Sequence, residues 1–405
     1  MRISLLKLNV RKILFFLTLF VSTVPLSIGS NLLPFIETEL GEEYAVPSFL
    51  DDVLSESLDM AGAVKSRSAT SFSLNGGFRF SSDSKEERRF PGVRQGLGVG
   101  IQRYAHPSSI GTPLLVYAFQ GAPIWNISRN LALDYEWNFG LSTGWKPCYG
   151  TTPSSDLIVG SRMNAYINLG IGMEWHLSRR VSLTGRLILT HFSDGNTSFP
   201  NPGVNQFGLR VGIRYDLSHS PASSPLLTPF QGERDSVKHR LPISYDIAGY
   251  GAWRRRVYRG GDEPILLKGN YGVAGLSFAP MWDVAPTFRA GLSADFQWDG
   301  SSNLRRYQAE DFSLENPCFS RPPFLSQISG GLAARAELVM PIFSVNVGIG
   351  WNIFAPEENR RSYQMANLKI AVIRGLFLNI GYMLRDFKTQ SNLMLGLGYT
   401  FRTTQ

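Results

Sequence analysis

A chain of 405 residues is long enough for one large all-β domain or two ordinary ones. Charged residues supply only 18% of it, while glycines number 40 and aromatics reach 12%. The net charge of +8 raises nucleic acid as a partner, but the basic residues are dispersed and form neither a basic helix nor a nucleic-acid motif. That distribution fits a positive surface facing anionic lipid headgroups.

At the N-terminus, Arg2, Lys7, Arg11 and Lys12 precede an apolar run from Ile13 to Phe20, then the small-x-small triplet Ser27-Ile28-Gly29. This reads as a secretory signal peptide over residues 1–29, since the run falls short of the ~20 apolar residues that a spanning helix needs. Residues 30–66 mix acidic and apolar positions without a clear period and are read as a periplasmic tail or small plug.

From about Thr70 onward apolar residues alternate with polar ones or glycine. Leu131, Leu133, Tyr135, Trp137, Phe139 and Leu141 share one face against Ala132, Asp134, Glu136 and Asn138; Ile167, Leu169, Ile171, Met173 and Trp175 repeat the pattern. Strands of about 10 residues with one apolar and one polar face, aromatic toward their ends, are the signature of a transmembrane β-barrel rather than a soluble sandwich. Gly96-Leu97-Gly98-Val99-Gly100 lacks the strand-to-helix context of a phosphate-binding loop, so its glycines are read as inward-facing small residues. The sequons at Asn126 and Asn196 are read as chance matches.

Residues 218–238, rich in Pro, Ser and charge, form a linker between a first half, 67–217, and a second, 239–405. The last strand places Leu393, Leu395, Leu397, Tyr399 and Phe401 on one face. Laying Met365 to Tyr382 and the last strand over Asn164 to Tyr215 suggests a diverged repeat in which Asp386 takes the place of His191 and Lys388 that of Ser193. Seven candidate strands precede the linker and eight follow it. Seven strands cannot close alone, so the fold expected is one antiparallel outer-membrane barrel of about 14–16 strands; the long linker favours the alternative, two tandem eight-stranded barrels. Cys148 and Cys318, the two cysteines, lie far apart in sequence and their pairing is left open.

One stretch carries chemistry. Val181, Leu183, Gly185, Leu187 and Leu189 share a face that His191 and Ser193 continue, and Asn205 has the same parity as Phe207, Leu209, Val211 and Ile213 on the following strand. If those rows meet lipid, three polar groups cap them, a cost that function would explain. The turn around Ser178-Arg179-Arg180 is short and therefore periplasmic, which puts the loop from Asp194 to Gly203 outside and makes an outer-leaflet lipid the expected substrate.

His191-Phe192-Ser193, the glycine soon after, Pro200-Asn201-Pro202-Gly203 and a polar residue fourteen positions beyond the histidine resemble the lipid A 3-O-deacylase (acyloxyacyl hydrolase-like) family, over about residues 70–217. The resemblance implies an outer-membrane esterase that removes an acyl chain from lipid A without metal or cofactor. It implies Ser193 as nucleophile, His191 as base, Asn205 as the residue that orients the histidine, and Asn201, Gly195 and Asp194 as loop candidates for holding the oxyanion. Two positions depart from the family pattern. Asn205 stands where the family has an acid, and Asp194 where it has an asparagine. An asparagine orients a histidine but does not stabilise imidazolium by charge, and Asp194 has the parity to do so only if its strand ends at Ser193. The alternative is a non-enzymatic barrel, a pore or a catalytically degenerate relative, for which Asn205 is the feature in favour.

Overall fold

The computed structural model describes residues 32–46, 68–105, 107–147, 160–195, 203–217, 242–255, 257–258, 265–267, 269–307, 318–320, 322–341, 343–356, 361–373, 375–385 and 389–402. The expected signal peptide, the linker from 218 to 238, Cys148 and Asn201 lie outside them.

Strands β1 (Leu32–Val46), β2 (Ser68–Phe80), β3 (Arg94–Tyr104), β4 (Gly111–Asn126), β5 (Leu131–Trp145), β6 (Met163–His176), β7 (Val181–Ser193) and β8 (Val204–Asp216) run antiparallel in sequence order. The ring closes where β1 pairs with β8, from Phe35 opposite Asp216 to Val46 opposite Asn205. A second closed ring follows: β9 (Ile243–Arg254), β10 (Tyr271–Ala285), β11 (Phe288–Asp299), β12 (Ile328–Val339), β13 (Phe343–Phe354), β14 (Ser362–Ile373), β15 (Leu376–Arg385) and β16 (Thr389–Arg402), with β16 pairing back to β9. The chain thus holds two eight-stranded barrels, the tandem arrangement rather than the joint one.

The correction turns on β1. Leu32–Val46 is not a tail or plug but the eighth strand of the first ring. Its inward row holds Glu37, Glu39 and Glu43, all buried, and its outward row mixes Ile36, Leu40 and Tyr44 with Thr38 and Glu42. Carboxylates on the hidden face and two polar residues on the other erase the apolar alternation by which a strand is read. They are tolerated inside because arginines of other strands reach them. Arg186 of β7 lies 2.9 Å from Glu39, 3.4 Å from Glu37 and 3.0 Å from Asp134, and Arg210 of β8 lies 3.0 Å from Glu43. Arg94 bridges Asp134 and Glu174 at 2.5 Å each.

Burial is inverted relative to a soluble protein. Leu40, Phe72, Leu141, Leu169, Leu187, Leu189, Leu209 and Val211 are exposed on the outer wall while arginines and carboxylates fill the lumen. Only a wall that meets hydrocarbon makes that arrangement stable, and a closed ring leaves no unpaired backbone edge in the bilayer. Toward one end the first lumen is packed with rings: Tyr117 against Tyr166 at 5.2 Å, Tyr166 against Phe192 at 5.4 Å, and Trp145 against Phe192 at 4.9 Å. The second lumen carries its own ion network, in which Lys369 contacts Asp246 and Glu337, Arg289 also reaches both carboxylates, and Arg335 meets Asp295 at 2.7 Å.

Candidate active site

Within the first barrel the connections 127–130 and 177–180 are short and lie at one end, with Leu32 and Asp216; the 194–203 connection lies at the other. Short connections are periplasmic in such barrels, so the β7–β8 loop faces outward from the cell.

In β7 the exposed residues Leu183, Leu187 and Leu189 point to the outer wall, and Ser182, Thr184, Arg186, Ile188 and Thr190 point inward and are buried. His191 takes the next outward position and is half-buried; Ser193, the last residue of the strand, follows it and is 5% exposed. In β8, Asn205 precedes the exposed outward residues Phe207, Leu209, Val211 and Ile213.

The hairpin register sets His191 directly opposite Asn205, which accounts for the fourteen-residue spacing. Their side chains meet: His191 Nδ1 lies 2.7 Å from Asn205 Oδ1. With a carbonyl oxygen facing it, Nδ1 donates its proton, and Nε2 is left as the proton-accepting nitrogen. On the other side, β7 pairs with β6 so that Ile167 faces His191 and Ala165 faces Ser193. The outward surface beside the pair is therefore apolar or small.

Two motif positions without a chemical role of their own, Phe192 and Gly203, support this arrangement. Phe192, between the two outward residues, is fully buried and points into the lumen against Tyr166 and Trp145. An aromatic anchored there fixes the backbone that presents His191 and Ser193 outward. Gly203 adopts φ +75, and a Cβ on it would sit 3.0 Å from His191 Cε1 and 3.0 Å from the Phe192 carbonyl oxygen. Any other residue there would be strained and would press on the imidazole. Its presence in Pro200-Asn201-Pro202-Gly203 is a sequence signal that close packing explains.

Of the loop candidates, Asp194 is 6% exposed and lies just past the end of β7, so the strict alternation stops before it. Gly195 has φ +67, a turn conformation natural to glycine. The second barrel differs at the corresponding strands. The outward row of β15, its seventh strand, is Leu376, Leu378, Ile380, Tyr382 and Leu384, and residues 243–405 contain no histidine. Asp386 and Lys388, aligned with His191 and Ser193, lie outside the described residues.

Residues 120–214 match the family described as lipid A 3-O-deacylase (PagL), and residues 243–403 match the acyloxyacyl hydrolase C-terminal domain. The two matches together span more than half of the chain. Among solved structures, Neisserial surface protein A is similar at 10% identity, covering 46% of this chain and 99% of its own, with a TM-score of 0.32. The outer membrane enzyme PagL is similar at 12% identity, covering 43% and 97%, with a TM-score of 0.28. No curated relative matches the sequence. The two matches fall on the two closed barrels: residues 120–214 match the lipid A 3-O-deacylase family and residues 243–403 the acyloxyacyl hydrolase C-terminal domain, which makes the chain an outer-membrane barrel protein of the Gram-negative type.

Proposed function

We propose that the first barrel hydrolyses an acyl ester of lipid A, with Ser193 as nucleophile, His191 as base and Asn205 as the residue that orients the base. The observation that carries this reading is the 2.7 Å contact from His191 Nδ1 to Asn205 Oδ1 on the membrane-facing wall. It points Nε2 away from Asn205 and leaves it able to take a proton.

Outward positions two apart on a strand are separated by ~6.6 Å between Cα atoms, within reach of an imidazole and a hydroxymethyl group turned toward each other. In the reaction Ser193 Oγ attacks the ester carbonyl as its proton passes to His191 Nε2, and the same proton then goes to the departing sugar hydroxyl. Water, activated by His191, cleaves the acyl-serine and releases the fatty acid. The oxyanion is assigned to Asn201 and to the loop amides around Asp194 and Gly195. Asn205 holds the productive tautomer without contributing negative charge, so the imidazolium formed during attack is less stabilised than beside a carboxylate.

A degenerate relative without activity is the competing reading, and Asn205 in the place of an acid is the observation that favours it. An open pore is disfavoured by the aromatic and ionic packing of both lumens. The deciding measurement is the lipid A mass spectrum of cells carrying wild type or Ser193→Ala. Loss of one acyl chain is expected only with the wild type, and identical spectra would end the proposal.

A further inference from the structure

The wall of the first barrel carries a second polar feature, which starts on β1 beside the β7–β8 hairpin and runs away from it across β2 and β3. Glu42 of β1 is paired in register with Thr70 of β2, and Thr70 with Arg103 of β3. All three are exposed and have outward parity, in rows otherwise occupied by Leu40, Tyr44, Phe72 and Ile101. Thr70 begins near the start of β2 and Arg103 stands one residue before the end of β3, which puts the row at the outer end of the barrel. Thr70 Oγ1 donates to Glu42 Oε2 at 2.8 Å. Arg103 forms no ion pair or side-chain hydrogen bond with any described residue. β3 stands four strands from β7 whichever way the eight-stranded ring is followed, and three from β8, so Arg103 lies across the barrel from His191 and Ser193.

We propose that Glu42, Thr70 and Arg103 form a lipopolysaccharide-binding site, separate from the hydrolytic one, that holds the phosphorylated sugar headgroup of an outer-leaflet glycolipid against the barrel wall. The chemistry of the row is ordered. A guanidinium with all its donors available suits a phosphate, which it holds by a bidentate, charge-assisted contact. The Glu42 carboxylate, steadied by Thr70, offers acceptors to the hydroxyl and amide donors of a sugar. Two strand spacings separate the ends of the row, ~9.6 Å, about the length of a disaccharide. Acyl chains of a lipid held this way run down the exposed Leu40 and Phe72. The orientation places the row in the outer leaflet, where a phosphorylated glycolipid is the natural occupant. A phosphatidylethanolamine headgroup offers a phosphate and an ammonium instead, and is the competitor that the test excludes.

The site depends on the orientation of the barrel and not on Ser193 chemistry, so the two are tested apart. Full-length protein would be purified from outer membranes in mild detergent and its bound lipopolysaccharide quantified by mass spectrometry, followed by rebinding to vesicles containing lipopolysaccharide or phosphatidylethanolamine. Arg103→Ala should bind lipopolysaccharide about tenfold more weakly than wild type, as loss of one charge-assisted contact implies. Glu42→Gln should show a smaller loss, and both comparisons are made in the Ser193→Ala background, so that hydrolysis does not deplete the bound lipid. Phosphatidylethanolamine binding should not respond to either change at the row. Heat-dependent gel mobility reports folding, and Arg103→Gln carries the same expectation should Arg103→Ala fail to fold. Equal lipopolysaccharide binding by wild type and the folded Arg103 variant overturns the proposal, as does a loss confined to phosphatidylethanolamine.

Discussion

The two barrels share a strand count, a closure between first and last strands, and a lumen filled by salt bridges, yet among the described residues only the first pairs a histidine with an asparagine on its outer wall. The difference on the outer wall lies in one hairpin. In β7 the outward apolar row gives way at its outer end to His191 and Ser193, and β8 answers with Asn205. In β15 the outward row stays apolar to Leu384. The lumens differ as well: aromatic rings crowd the outer end of the first, around Phe192, whereas the second cluster is made of Tyr250, Tyr363, Met365, Met383, Met394 and Ala333. Rigid rings directly behind a hairpin fix its geometry, and flexible methionines do so less well. The same eight-stranded wall thus carries two outer ends, one with polar residues on the lipid face backed by aromatic rings and one without them.

The strongest way to break the comparison is to remove its chemical half. His191→Ala should reduce lipid A deacylation by on the order of 10³-fold or more. Asp386→Ala and Lys388→Ala, at the aligned positions of the second half, should leave it unchanged, and a large loss from either would refute the division of labour. Next in size is the luminal network. Arg186 meets Glu37, Glu39, Asp134 and Glu136, and Arg186→Leu leaves buried carboxylates uncompensated, a destabilisation of about 3–5 kcal/mol, read as loss of the heat-resistant folded band. Phe192→Ala should cost about 3–5 kcal/mol by emptying a ring-sized volume, and should lower activity in the protein that still folds.

Smaller effects sharpen the role of Asn205. Asn205→Glu should raise the deacylation rate by about tenfold, because a carboxylate at that position stabilises the imidazolium; a fall in rate would show that the amide itself is required. Gly203→Ala should destabilise by about 1 kcal/mol and lower the rate with little change in substrate affinity, since the added methyl strains a positive φ and crowds the base. Thermal melting and steady-state kinetics on the same preparation separate the two contributions.

Much of this was legible in the amino-acid order. β5 to β8 and the final strand announce themselves because lipid demands an unbroken apolar row on one face, and the parity of His191, Ser193 and Asn205 follows from counting. What escaped was physical in origin. β1 hides because its inward carboxylates have partners, Arg186 and Arg210, some 150 residues away, and no local pattern records a partner at that distance. Missing that strand left seven in the first half and made a joint barrel the expected solution. Phe192 reads as one more apolar residue; its function lies in which side of the wall it faces, and so in what it stacks upon.

β1 also has a consequence for timing. It is the first strand of the ring in sequence, yet its partner on the closing side, β8, is the last, and the pairing of Val46 with Asn205 is among the most non-local in the ring. Loop-closure entropy delays such contacts until the intervening hairpins have formed. Asn205 therefore belongs to the strand that completes the ring, and the β7–β8 hairpin becomes fully supported only once the barrel has sealed. The same seam that makes the wall continuous thus ties the support of His191 and Asn205 to completion of the ring.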